Sequence, residues 1–144
     1  LLAFLLVTNI KFRRFMDDVL PNDREPALRV LAMPADSNAQ GDIFGGWVMS
    51  QVDMAGAVEA AQRAKGRVAT VAVNSFQFKK PIFIGDLVSC YAKVVKVGRT
   101  SITVHVEVYS QRSLGHEETV KVTEAAFVYV AVDDNRLPRP VPPN

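Results

Sequence analysis

The sequence predicts an α+β fold, with one long central helix wrapped by a twisted antiparallel sheet of about five strands. Three observations predict it. Residues 47–65 are rich in Ala, Met, Gln and Glu and stop at Gly66, and Asp53 is the one ionisable side chain between Asp42 and Glu59. From Gly66 onward the apolar pattern changes to period two over four long runs. Short turn segments, Gly98-Arg99 and Ser113–Glu117, separate the last three of these runs and suit hairpins.

The elements follow in order. Residues 1–15 read LLAFLLVTNIKFRRF. The apolar run Leu1–Val7 is too short to span a bilayer. Lys11, Arg13 and Arg14 follow that run, whereas a secretory signal puts its charges first. Met16 is the expected natural start, with 1–15 an over-extended reading frame; a short hydrophobic anchor is the alternative. Residues 1–26 are thus an extension and lead-in, 27–132 the folded domain, and the Pro-rich residues 133–144 a loose tail. Ala27–Met33 predicts a first strand ended by Pro34. Ala35–Asp42 is rich in turn and helix-capping residue types. The helix that follows is about 30 Å long, and its near absence of charge marks it as surrounded by protein.

Strands are expected over 67–78, 86–97, 100–111 and 118–132. In the third of these, Ile102, Val104, Val106 and Val108 share one face, and Thr103, His105, Glu107 and Tyr109 the other. Consecutive strands with short links predict an antiparallel meander. A 12-residue strand spans about 40 Å, enough to wrap the helix. Trp47, Phe76 and Phe78 are expected in the core, and Cys90 there or half-buried. One helix cannot cover both faces of such a sheet, so association through a sheet edge or face is expected.

Composition narrows the function. The 144 residues are 49% hydrophobic and 22% charged, which suits one globular domain and excludes disorder as the main state. The lone cysteine, Cys90, cannot form an internal disulfide, which points to a reducing compartment or at least to a fold that needs no staple. The formal charge of +2 becomes −1 without the three bases of residues 1–15, so no broad nucleic-acid surface is indicated. No run is long enough for a transmembrane helix. There is no G-x-S-x-G motif to anchor a hydrolase triad. His105 and His116 lack spacing partners, and no His/Cys cluster suggests a metal.

Asp53 is the residue that stands out. At helical spacing it shares a face with Met49, Ser50, Gly56, Ala57 and Ala60, none of which can neutralise it. A carboxylate so placed is either partly exposed or bonded to backbone, or else it is a general base or nucleophile. Asp42, just before the helix, suits an N-cap. Gly45 and Gly46 make either a plain turn or a place where a substrate meets free helix N–H groups. Gly98-Arg99-Thr100-Ser101 and Lys79-Lys80-Pro81 read as basic surface turns.

Four blocks carry a family resemblance: MPADSNAQGDIFGGWVMSQVDMAGAVEAA, GRVATVAVNSFQFKKPIFIGDLV, KVVKVGRTSITVHVEV and TEAAFVYVAVD. Over residues 27–135 the chain resembles the hotdog-fold acyl-CoA thioesterases, most of all the bacterial YciA-like acyl-CoA hydrolases. The resemblance implies a cytoplasmic enzyme that splits acyl-CoA into a carboxylic acid and CoA, with no cofactor beyond the CoA of its substrate. It implies a homodimer as the active-site unit, assembled as a trimer of dimers. It makes Asp53 the catalytic carboxylate and sets Asp42 beside the thioester, facing the Asp53 of the other subunit. Gly45 and Gly46 would then hold the oxyanion. Arg99, Thr100 and Ser101, with Lys80 as a second candidate, would hold the CoA phosphates, and Asn38 would organise the loop before the helix. A thiolate with a conjugate-acid pKa of about 8.5 leaves without acid help, so the absence of a catalytic His is compatible with this chemistry. Two alternatives are a hotdog dehydratase, which would want a His by the helix, and a non-catalytic acyl-CoA-binding regulator, which gains nothing from Asp53.

Overall fold

The computed structural model describes residues 18–112 and 118–144. The expectations for residues 1–15, for the turn at Ser113–Glu117 and for His116 fall outside those residues. The elements are β1 (Leu28–Leu31), a 3-10 turn (Pro34–Asp36), α1 (Gly45–Ala64), β2 (Val68–Phe78), β3 (Leu87–Val97), β4 (Ser101–Gln111) and β5 (Thr119–Ala131). Most boundaries lie within one or two residues of the sequence expectation. The helix ends as its sequence suggests, with Lys65 in the left-handed region and its N–H turned back to the carbonyls of Ala61 and Gln62.

One five-stranded antiparallel sheet, in the order β1-β3-β4-β5-β2, packs on α1. The expected meander is therefore correct for β3-β4-β5 and wrong for β2, which pairs with β5 at the far edge. The cause lies in the segment between β2 and β3. Pro81 has no N–H for a ladder, and Ile82 turns into the core. Asp86, only 3% exposed, accepts hydrogen bonds from Phe83 N (3.0 Å), Ser110 Oγ (2.7 Å) and Arg112 Nη1 (2.7 Å). Arg112 also donates to the Pro81 carbonyl at 2.9 Å. This cluster fastens the segment across the sheet rather than folding it into a hairpin.

The core lies between α1 and the inner sheet face. Val48, Val52, Ala55 and Ala60 of the helix meet Val104, Val106, Val108, Val122 and Phe127 of the strands. Each fully buried Val contributes about 1.5–3 kcal/mol. Ile102, Val104, Val106 and Val108 face this core as the alternation predicts, with Thr103, His105 and Glu107 on the outer face. Cys90 is fully buried, and burial pushes its thiol up to about 12, which leaves it inert. Phe78 is not core: it is 49% exposed. The opposite side of α1 is also uncovered within one chain, with Met49, Met54 and Val58 exposed.

The outer sheet face carries the lead-in. Arg24 binds Glu107 and stacks on the Tyr91 ring. Asp18 accepts from the Lys121 N–H at 2.9 Å and from Lys80 Nζ. Residues 133–144 are fastened rather than loose. Arg139 donates to the Ala64 carbonyl at the helix end (2.8 Å), Arg63 donates to the Pro142 carbonyl, and Val141 N–H donates to the Arg99 carbonyl (2.8 Å). Arginines and backbone pairing outweigh the proline content.

Candidate active site

Asp53 sits in the third turn of α1, half-buried, beside β2 and β5. The strand register decides its neighbours. Thr70 and Tyr129 are direct cross-strand partners, so both side chains rise from the same sheet face. A register shift next to Thr70 interrupts β2 between Thr70 and Ala72, a common device for re-aiming a side chain. Both hydroxyls reach Asp53. Thr70 Oγ1 donates to Oδ1 at 2.7 Å. The Tyr129 hydroxyl donates to the Asp53 carbonyl at 2.8 Å and lies 3.2 Å from Oδ1. Burial, and then the neighbouring Asp53 carboxylate, push the Tyr129 phenol well above its usual range, so it stays a donor. Among the described residues no cation pairs with Asp53. Its charge is met by hydroxyls alone.

Sequence reading missed Thr70, Tyr129 and Gly56. At Gly56, a Cβ would overlap the Tyr129 hydroxyl and sit 3.0 Å from Cζ. A glycine inside a long helix costs up to about 1 kcal/mol against Ala, and that was the available signal.

The helix N-terminus forms a second locus. Asp42 is not the N-cap; Phe44 holds that position, with no side-chain cap, and α1 starts at Gly45. Asn38 Oδ1 accepts from the N–H of Gln40 (3.0 Å) and of Asp42 (3.1 Å) in the loop before the helix. The amides of Gly45 and Gly46 precede the first intrahelical donors, Trp47 and Val48, and have no helical acceptor. The two glycines differ. A Cβ on Gly45 would meet the Phe78 ring at 3.1 Å, whereas Gly46 faces open space. A cleft of about 350 Å³ opens here, walled by Ile43, Val48, Phe78, Ile82 and Val122 and rimmed by Lys79 and Lys80.

Not every candidate gathers in one place. Lys80 lines the cleft, with its ammonium on Asp18 at 2.9 Å. Arg99, Thr100 and Ser101 lie elsewhere. Ser101 pairs with Val130, next to Ala69 at the start of β2, while Phe78 ends that strand. Along β2 this separates the Arg99 turn from the cleft by about 30 Å. Gly45 and Asp53 are about 12 Å apart along α1 at 1.5 Å per residue. His105 sits on the outer face, 3.8 Å from Glu124, and touches neither locus. Among the described residues no cluster of three or more His, Cys, Asp or Glu could hold a metal, and no helix is long and apolar enough to cross a membrane.

The Thioesterase superfamily model matches residues 40–114, from the loop before α1 through β4. The acyl-CoA thioester hydrolase YciA of Salmonella typhimurium is 52% identical over 120 residues, covering 82% of this chain and 90% of the relative. The chain belongs to the Thioesterase superfamily. Within this superfamily, a hexameric thioesterase from Yersinia pestis superposes with a TM-score of 0.80 at 51% identity, covering 86% of this chain and 100% of the other. The Staphylococcus aureus acyl-CoA hydrolase, solved with butyryl coenzyme A and coenzyme A, gives 0.73 at 29% identity, covering 80% and 70%. Structures of that superfamily member also include an Asp-to-Ala and a Thr-to-Ala variant at positions 17 apart.

Proposed function

We propose that this chain is an acyl-CoA thioester hydrolase in which Asp53 activates water at the thioester. The observation that carries the residue assignment is the half-buried Asp53 carboxylate, held by Thr70 and Tyr129 without a cation, beside an exposed strand. A carboxylate neutralised by Lys or Arg is a structural device; one held by hydroxyls keeps its electron pair for chemistry. Water adds to the carbonyl carbon as its proton passes to the carboxylate. The oxygen that becomes negative is held by the amides of Gly45 and Gly46. The C–S bond then breaks, the thiolate leaves, and the proton on Asp53 returns to it or to solvent. A nucleophilic route, through an anhydride between Asp53 and the acyl group, is the other reading of the same residue.

The 12 Å between Gly45 and Asp53 argues that the two belong to different substrates within one chain, since a reacting carbonyl must lie about 3 Å from both partners. The site is thus proposed to form between two copies joined along β2, the helix start of one meeting Asp53 of the other. Exposed Val71 and Val73 on β2, and Met54 and Val58 on α1, supply the apolar surface for that contact. Asp42 would then approach the partner's thioester, as the family resemblance implies. Lys80 and the Arg99-Thr100-Ser101 turn, 30 Å apart in one chain, serve CoA phosphates from different copies of the assembly. A trimer of such dimers is the proposed assembly, with no cofactor beyond CoA itself and a cytoplasmic setting.

Release of free thiol from acyl-CoAs of two to about sixteen carbons tests the activity, and Asp53→Asn tests the residue. A protein that binds acyl-CoA and releases no thiol would instead be the non-catalytic regulator.

A further inference from the structure

The two oxygens of the Asp53 carboxylate are not equivalent. Oδ1 is approached by two hydroxyls, Thr70 Oγ1 at 2.7 Å and the Tyr129 phenol at 3.2 Å. Oδ2 has no hydrogen bond among the described residues. The Tyr129 proton is a single one, shared between the Asp53 carbonyl at 2.8 Å and Oδ1. It therefore ties the main chain and the side chain of one residue to one fixed point on β5, which restrains rotation of the carboxylate about the helix. Gly56 makes this possible, because any Cβ there would displace the phenol. Tyr129 itself has no freedom to drift, being fully buried and stacked on Phe127.

We propose that Tyr129, admitted by Gly56, is the positioning residue that commits Asp53 Oδ1 to the scaffold and leaves Oδ2 as the oxygen that reacts. This rests on the reading of Asp53 as the catalytic carboxylate. Tyr129 touches neither substrate nor water in this scheme; it acts through Asp53. A carboxylate free to rotate would exchange its two oxygens and lose the near-attack geometry, and small misplacements of that kind are costly in rate.

Tyr129→Phe keeps the ring and its packing and removes only the hydroxyl. The expected result is a fall of about 10-fold in kcat with KM held within about twofold, the pattern of an interaction that matters at the reacting centre rather than in binding. The same change is then made in the Asp53→Asn background, where it should have no further effect on the residual rate. Gly56→Ala should reproduce the kcat loss, and its cost should shrink when combined with Tyr129→Phe. A kcat for Tyr129→Phe within twofold of the parent overturns the proposal. So does an equal fractional loss in the Asp53→Asn background, which would make the hydroxyl a plain helix-to-sheet tie. The failures separate cleanly, since near-normal turnover of Asp53→Asn alone defeats the catalytic reading, whereas its collapse alongside an unaffected Tyr129→Phe defeats only the positioning role.

Discussion

Asp53 and Glu107 are half-buried carboxylates on opposite faces of one sheet, and they are satisfied in opposite ways. Glu107 accepts from Lys121, Tyr109 and Arg24. Burial works to raise its pKa, but the hydrogen bonds from Lys121 and Tyr109, the Lys121 charge and the Arg24 bond outweigh it and hold the carboxyl below its usual range. Lys121 is also bound by Glu124 at 2.8 Å. On α1, against the inner face, Asp53 has hydroxyl donors and no cation among the described residues. The outer carboxylate is spent on fastening the sheet and the lead-in. The inner one is oriented by hydroxyls, and that difference, rather than burial, is what separates the two carboxylates.

The sharpest way to break this contrast is Asp53→Asn. General-base catalysis contributes about 10²–10⁴-fold, so kcat should fall at least about 100-fold while acyl-CoA binding and melting temperature hold. Near-normal turnover with a lowered melting temperature would place Asp53 in the same class as Glu107. The converse change, Glu107→Gln, should cost about 1–3 kcal/mol of stability, because Arg24 loses its charged partner and Lys121 one of its two carboxylates. Its kcat should stay within about twofold, as read by thermal melting and thiol release on the same sample.

The outer network also sets a pH signature. The folded pKa values of Glu107 and Glu124 are lowered, so their stabilisation is complete above the unfolded carboxylate value of about 4.3 and is lost as pH falls through the folded values. For Lys121, burial opposes charge, but the hydrogen bonds it donates to Glu124 and Glu107 raise its pKa. Its contribution is complete below about 10.4 and is lost as pH rises through the folded value. Lys121→Met should lower stability near neutrality and flatten the acid limb of a denaturation-versus-pH curve; an unchanged limb would remove Lys121 from that role. The smallest expected effect is Arg99→Ala. Its guanidinium makes no hydrogen bond or ion pair among the described residues, so fold stability should not change. A phosphate contact holds ground and transition states alike, and KM for acyl-CoA should rise a few-fold more than kcat falls.

Much of this architecture was legible from local pattern. The alternation from Ile102 to Val108 assigns both faces of β4, and the charge-poor stretch around Asp53 marks α1 and the carboxylate proposed to react. What local pattern could not carry was pairing at a distance. That Thr70 stands opposite Tyr129 depends on β2 lying beside β5, and the segment at Pro81–Asp86 that sends it there is held by a buried carboxylate and Arg112. Without that pairing, Tyr129 is one aromatic among several and Gly56 an oddity in a helix. The tail misled for a related reason: prolines exclude regular pairing, but they do not prevent Arg139 from docking on a helix end.

β2 is made early and paired last. It precedes β3, β4 and β5 in the chain, yet its one strand partner in the sheet is β5. Its partner in the sheet exists only once β5 has been made. In the finished sheet its two register shifts against β5, and Ser75 in the left-handed region, keep its edge from being flat. The meander of β3, β4 and β5 forms from neighbours in sequence and needs no such delay. The free edge of β2 is therefore an edge of the whole sheet, present in this form only when the strands flanking the chain's middle have met.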